Sequence, residues 1–455
     1  MRIVIENAAI ATVDAAGTEH AAGHVVVDGG LIEAVGAGPA PAGEADRHVD
    51  RRVDATGCLV TPGLVNTHHH LYQWATRGLA QQSTLFEWLV ELYPVWAGID
   101  DEITHAAALA GLVRLAKTGC TTVADHHYVF PRGAGDLLAP IVAAAGAVGV
   151  RLHAVRGSMD RGESRGGLPP DSVVEDGDEA LAATAEAIDR YHDPARESFV
   201  RVAVGPCSPF TVTTELMSQA AELARARGVR LHTHLAETVD EEEQCLAELG
   251  CTPMEYAERT GWLGEDVWLA HGIHFADGAV ARLGATGTGV AHCPTSNARL
   301  GAGTARVADL LAAGAPVGLG VDGAASNEDG GLGVELRQSA YLARLRGGPA
   351  SLSARDALRL ATMGGARCLG RQDELGSLEP GKLADLAVWR IDGVEHAGIA
   401  DPVAALVFGA LPSVALLLAG GRPVVEEGAC RTVSEVDTAA GLRAASAALL
   451  KKAPR

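Results

Sequence analysis

Lysine is nearly missing from this chain. Its 455 residues include four, Lys117, Lys382, Lys451 and Lys452, with none between the first two. Lys+Arg total only 37 against 57 Asp+Glu, a net charge of −20. A surface of that sign disfavours nucleic-acid and anionic-membrane partners. Cysteine is sparse and scattered, at Cys58, Cys120, Cys207, Cys245, Cys251, Cys293, Cys368 and Cys430, with no C-x-x-C pair. Free buried thiols are therefore expected rather than a disulfide framework. Long apolar runs are also missing, and Val414–Ala419 is too short to span a bilayer. The opening Met1–Ile5 reads as a strand, so no leader peptide is expected. A soluble, cytoplasmic protein is the expectation. Internal repeats and low-complexity tracts are absent.

What the chain has in quantity is apolar side chain, 47% of residues. That is enough for a large buried core, either two or three domains or one barrel with a satellite. Residues 1–58 alternate apolar and polar between turn residues, the pattern of short antiparallel strands. The same texture returns at Asp385–Trp389 and in a hairpin pattern at Val414–Val425. One small β-sandwich built from 1–58 and 373–432 is expected, followed by a helical tail over 433–455.

Between these ends, apolar strands alternate with Ala/Leu/Arg-rich helices. Strands are predicted at 59–66, 120–125, 150–155, 200–206, 229–235, 267–271, 288–292 and 317–322. Eight strands separated by helices argue for an α/β fold, a (β/α)8 barrel over 59–372. Two stretches exceed the usual connection length, 71–100 and 157–180. Both follow strand C-termini, the catalytic face of such barrels, so they read as substrate-covering loops or as surface insertions.

His68-His69-His70 closes the first apolar run. Alternate side chains of a strand share a face, so His68 and His70 point together and His69 is turned away. Further acid and imidazole groups end later strands: His234 and Glu237, His271, His292, and Asp322. A catalytic zinc takes N and O ligands and keeps a position open for water. His68, His70, His234 and Asp322 would supply three nitrogens and one oxygen. Glu237 and His271 are left over as proton carriers.

The stretches Pro62–His70, His234-Leu235-Ala236-Glu237, Leu269-Ala270-His271 and Gly320–Gly323, in this order, resemble the amidohydrolase superfamily. The nearer likeness is to its aminohydrolase branch, and it covers almost the whole chain. The resemblance implies metal on His68, His70, His234 and Asp322. It makes Glu237, His271 and Asp322 the proton-transfer groups. Binuclear members bridge two metals with a carbamylated lysine ending strand 4. Here strand 4 ends Val204-Gly205-Pro206-Cys207, so one divalent metal per chain is implied, zinc with iron as the alternative.

Three stretches, His68–Gln73, Gly205–Phe210 and Gly166–Glu175, further resemble the 8-oxoguanine deaminase family. A related triazine hydrolase family shares the scaffold but lacks the strand-8 aspartate, whereas this chain keeps Asp322. The implied reaction is hydrolytic deamination of an aminated purine, 8-oxoguanine giving urate and ammonia. Guanine, isoxanthopterin, isocytosine and triazine substrates stay open. A non-catalytic assembly protein on the same scaffold would lose metal ligands, and here every such position is filled. The resemblance also implies a homo-oligomer acting on a small heterocycle.

Gln73, Arg156, Cys207, His292 and Asn297, just beyond strands 1, 3, 4 and 7, are candidates for substrate contact. Arg156 offers a fork of donors to a purine carbonyl, or a salt bridge to Asp160 or Glu163. Trp88 and Trp96, at helical spacing, read as packing. The Asp125-His126-His127-Tyr128 cluster reads as pocket lining or a hydrogen-bonded rim.

Overall fold

A computed structural model describes residues 1–41 and 48–453. The N-terminal segment forms β1 (Arg2–Ala11), β2 (Glu19–Asp28), β3 (Leu31–Ala37), β4 (Arg51–Asp54) and β5 (Cys58–Pro62). The barrel region follows with β6 (Leu64–Asn66), a two-residue β7 (His69–His70), β8 (Cys120–His127), β9 (Arg151–Ser158) and β10 (Val200–Pro206). It continues with β11 (Arg230–Leu235), β12 (Val267–His271), β13 (Gly289–His292), β14 (Val317–Leu319) and β15 (Asp322–Gly323). The C-terminal segment adds β16 (Leu386–Arg390), β17 (Val414–Ala419), β18 (Arg422–Glu426) and β19 (Ala429–Cys430).

Strands β6, β8 to β14 close into a parallel eight-stranded barrel. The strands of both chain ends join one nine-stranded sheet in the order β19-β18-β17-β16-β5-β1-β2-β3, with β4 beside β1. Its apolar face buries Ile3, Ile5, Val25, Val60, Leu386 and Leu418. The single apolar run predicted at 59–66 serves both units. Gly63 divides it, because a Cβ there would lie 2.4 Å from Thr121 Oγ1. The part before Gly63 pairs with β1 and β16, and the part after it enters the barrel.

The barrel interior is decided by alternation. Ala124, Val155, Ala203, Trp268 and Ala291 pack inside as one apolar layer. Beneath it, Arg151 makes a bidentate bond to Asp385 at 3.0 Å from both Nε and Nη2, and Gly420 N–H also donates to Asp385. This buried pair ties the barrel floor to the terminal sheet.

The two long connections carry short elements. Residues 71–100 fold as a 3-10 turn, Leu71–Thr76, and a helix, Leu85–Trp96. The second holds a 3-10 turn, Glu163–Arg165, before the helix Gly177–Tyr191. The final helix spans Glu435–Lys452 and makes ion pairs Glu435–Lys117 and Lys452–Asp100. Among the described residues no helix is long and apolar enough to cross a membrane.

Candidate metal and proton-transfer site

The inward face above the apolar layer is built of imidazoles. On β11 the alternation that puts His232 against Trp268 also puts His234 inside. For the first strand the frame has to shift. Leu319 pairs with Asn66, and both lie on the outer side, so strict alternation would turn His68 outward. The strand instead stops at Asn66, whose Oδ1 accepts Val321 N–H at 3.0 Å. Pairing resumes at β7, with Asp322 opposite His69 and Gly323 opposite His70. The break brings His68 and His70 inside together.

His271 needs a different device. Trp268 and Ala270 face inward, so alternation points His271 at the helices. A left-handed backbone at His271, φ 72°, re-aims it. Ala236 (φ 54°) and Asp322 (φ 60°) are in the same region. Such conformations cost non-glycine residues on the order of 1–3 kcal/mol each and persist where the surroundings hold them.

The hydrogen bonds fix every tautomer that matters. His232 Nδ1–H donates to Trp268 O at 2.8 Å, so its Nε2 is an acceptor. His68 Nδ1–H donates to that Nε2 at 2.7 Å. His70 Nδ1–H donates to His126 O at 2.6 Å, and His234 Nδ1–H donates to Cys207 O at 2.6 Å. The Nε2 atoms of His68, His70 and His234 are all left with bare lone pairs. They nevertheless crowd together: His70 Nε2 is 3.1 Å from His234 Nε2, and both His68 and His70 Nε2 lie 3.3 Å from Asp322 Oδ1. Acceptor nitrogens crowded this closely beside a carboxylate suit a bound cation. The donor set N3O fits a divalent transition metal. Burial pushes the His68 and His234 imidazoles well below their ordinary pKa, keeping them neutral as ligands must be.

The other oxygen of the aspartate is engaged differently. Asp322 Oδ2 accepts from Ser296 Oγ at 2.5 Å and Ser326 Oγ at 3.2 Å. His271 Nε2 lies 3.9 Å from it and 3.5 Å from Glu237 Oε2. His271 Nδ1–H donates to Asn297 Oδ1 at 2.9 Å. Burial, with the charges of Asp322 and Glu241, holds the Glu237 carboxyl well above the usual carboxylate range. The same burial favours the protonated form of Glu237 over the carboxylate.

A small, partly open cavity of about 30 Å³ lies against these groups. Gln73, Trp88, Tyr93, Cys207 and Phe210 line it with Glu237. Gln73 is fully buried with neither amide atom bonded, so it aims an unused donor and acceptor at the space. A larger cleft, about 540 Å³, lies beside Arg132, Arg156 and Asp176 and contains none of the clustered imidazoles.

The expected contacts divide accordingly. Gln73 and Cys207 reach the cavity. Arg156 does not: Val155 faces inward, so Arg156 faces the helices, where it pairs with Glu175 at 2.6 and 2.7 Å and covers the Phe130 ring. Its partner is neither Asp160 nor Glu163. His292 follows inward Ala291 and likewise sits on the outer side of its strand, away from the cavity lining. Asn297 supports His271. Trp88 lines the cavity, while Trp96 packs and donates to Thr76 Oγ1 at 3.1 Å.

Several working residues were not legible. His69 accepts Trp74 Nε1–H at 3.2 Å and donates Nδ1–H to Asp322 O at 2.5 Å, bracing the aspartate backbone. His126 donates to Gly205 O at 2.7 Å and stacks on His234. His232, Ser296 and Ser326 gave no signal beyond their residue type, because their partners lie on other strands.

Comparison with known proteins adds to this geometry. Residues 59–424 match the model of the amidohydrolase family. The chain is 44% identical over 443 residues to 8-oxoguanine deaminase of Pseudomonas aeruginosa, covering 97% of this chain and 98% of that protein. It is 36% identical to hydroxydechloroatrazine ethylaminohydrolase of Pseudomonas sp. strain ADP, over 86% of this chain and 83% of the relative. The crystal structure of atrazine chlorohydrolase from Arthrobacter aurescens complexed with zinc superposes with a TM-score of 0.92 at 35% identity, covering 98% of this chain and 100% of that one.

Proposed function

The chain is a member of the amidohydrolase family, and on that premise we propose that it is a metal-dependent hydrolase of C–N bonds that deaminates an aminated purine, 8-oxoguanine first among them. One observation carries the chemistry. The Nε2 atoms of His68 and His70 meet Asp322 Oδ1, His234 Nε2 lies against that of His70, and His271 stands between Asp322 Oδ2 and Glu237. His68, His70, His234 and Asp322 would hold one divalent ion, zinc or iron(II). Such an ion, when bound, brings the pKa of water to about 7.

The protein's own groups then divide the proton work. Asp322 accepts the proton shed by water and delivers it to the departing amine. Glu237 protonates the ring nitrogen beside the amine-bearing carbon, so that no anion builds there. His271, oriented by Asn297, hydrogen-bonds the oxygen that becomes the product carbonyl. The balance is amine plus water giving carbonyl plus ammonia, and for 8-oxoguanine the other product is urate. Gln73 and Cys207 are proposed to contact the heterocycle. The 44% identity to an 8-oxoguanine deaminase across nearly the full chain supports the substrate. The likeness to the atrazine chlorohydrolase structure favours a triazine as the second reading.

The test is an ammonia-release screen over 8-oxoguanine, guanine, isoxanthopterin, isocytosine and aminotriazines, comparing kcat/KM. Highest activity on 8-oxoguanine is expected, with about one metal per chain. A preference for another ring rejects the substrate but keeps the class. Metal-free protein that added zinc or iron does not activate rejects the mechanism.

A further inference from the structure

The turn that carries Glu237 is held by a second buried carboxylate. Glu241 is fully buried in the short helix Val239–Gln244. Its two oxygens accept separate backbone bonds, Oε1 from Ala236 N–H at 2.9 Å and Oε2 from Glu237 N–H at 2.8 Å. Ala236 is the left-handed residue of this turn, a conformation that disfavours any residue with a Cβ. Its carbonyl is held too, accepting Ile273 N–H at 2.8 Å and His274 N–H at 3.0 Å. Leu235 O accepts Gly272 N–H at 3.2 Å. The N–H side of the turn is therefore bound to Glu241, and its C=O side to the segment just after His271.

We propose that Glu241 is a positioning residue for the proton-transfer pair: its carboxylate clamps the turn at Ala236–Glu237 so that Glu237 keeps its place 3.5 Å from His271. The inference rests on the reading above that Glu237 carries a proton. Simple helix capping accounts for less of the geometry. In a capping box the acid three residues into the helix reaches back to the N-cap N–H. Here Thr238 Oγ1 still accepts Glu241 N–H at 3.3 Å, but the carboxylate reaches past the cap to the two preceding residues. Both oxygens are needed. Glutamine has a single acceptor oxygen, and its NH2 would confront the second N–H.

A double-mutant cycle on the metal-loaded enzyme tests this, with Glu241→Gln, Glu237→Gln and the pair. It measures kcat and KM on the best substrate of the ammonia screen, with metal content and Tm alongside. Glu241→Gln is expected to lower kcat by about 10- to 100-fold, the scale of a misplaced catalytic group, at full metal content and little-changed KM. In the Glu237→Gln background it should add less than about threefold, because the two residues act as a unit. Equal losses in both backgrounds, or an unchanged kcat, would overturn the positioning role. A fully active Glu237→Gln enzyme would overturn the underlying reading instead. If Glu241→Gln does not fold, Glu241→Asp goes through the same cycle. It keeps the charge but is one methylene too short to hold both N–H groups.

Discussion

His232 reaches neither the cavity nor the proposed metal position, yet it decides which nitrogen His68 presents. Its Nδ1–H is committed to Trp268 O, so its Nε2 receives His68 Nδ1–H at 2.7 Å. Consider His232→Phe. The phenyl ring can keep the stack on Trp268, now 4.4 Å between centroids, but offers no acceptor. His68 is fully buried, so its Nδ1–H would lose the partner it has among the described residues. An unmet buried donor costs about 1–3 kcal/mol. His68 can escape by moving its proton to Nε2, but that removes the lone pair that faces Asp322. Either way the cost falls on metal binding. Loss of an outer partner of a ligating histidine typically lowers metal affinity about 10- to 100-fold, or about 1.4–2.8 kcal/mol. The assay is the zinc Kd measured by competition with a chelating dye at neutral pH. His232→Gln, whose side-chain oxygen can accept the same N–H, should recover most of the loss. Wild-type affinity in His232→Phe would refute the tautomer argument. A Gln variant no better than Phe would show that packing, not the hydrogen bond, matters.

Three other outcomes follow from the same geometry. Glu237→Gln should cut kcat by about 10²- to 10⁴-fold, the usual contribution of a general acid, while metal analysis finds the ion retained; undiminished turnover would remove Glu237 from the mechanism. Asp385→Ala strands a buried guanidinium at the barrel floor and should destabilise by about 3–5 kcal/mol, read as a lower denaturant midpoint with an unchanged m-value; a midpoint equal to wild type would show that the pair contributes nothing. Glu335, buried under the 322–327 loop, has its carboxyl pushed up from 4.5 to about 7 by burial. The folded state therefore holds an extra proton between those values, and stability falls as pH rises from about 4.5 to about 7, then levels, an effect of up to about 3 kcal/mol. In Glu335→Gln the drop in Tm between pH about 5 and about 8 should shrink; identical slopes in the two proteins would place the titration elsewhere.

Much of the site could be read from residue order because it is written in strand ends. His68, His70, His234 and Asp322 each close an apolar run, and the barrel gathers such ends on one face. Arg156 and His292 lie outside the cavity lining for a reason that alternation itself supplies: each follows an inward residue, Val155 and Ala291, and so points to the helices. His271 defeats the same rule in the other direction, because its left-handed backbone is invisible in a run reading Leu-Ala-His. The terminal strands were legible by their period. Their union into one sheet depends on β5 lying between β1 and β16, residues far apart in the chain.

The order of residues by itself determined the materials: eight apolar strands, imidazoles and carboxylates at their ends, and no lysine between Lys117 and Lys382. These depend on local alternation and on residue type, and both are local properties of the chain. Only the tertiary structure decided how the materials are used. It chose the protonated nitrogen of each histidine through partners as distant as the 164 positions between His68 and His232. It also supplied the strand break after Asn66 and the left-handed turns at Ala236, His271 and Asp322. A hydrogen bond or a strained turn is paid for by contacts from elsewhere in the chain, and those contacts exist only once the barrel has closed.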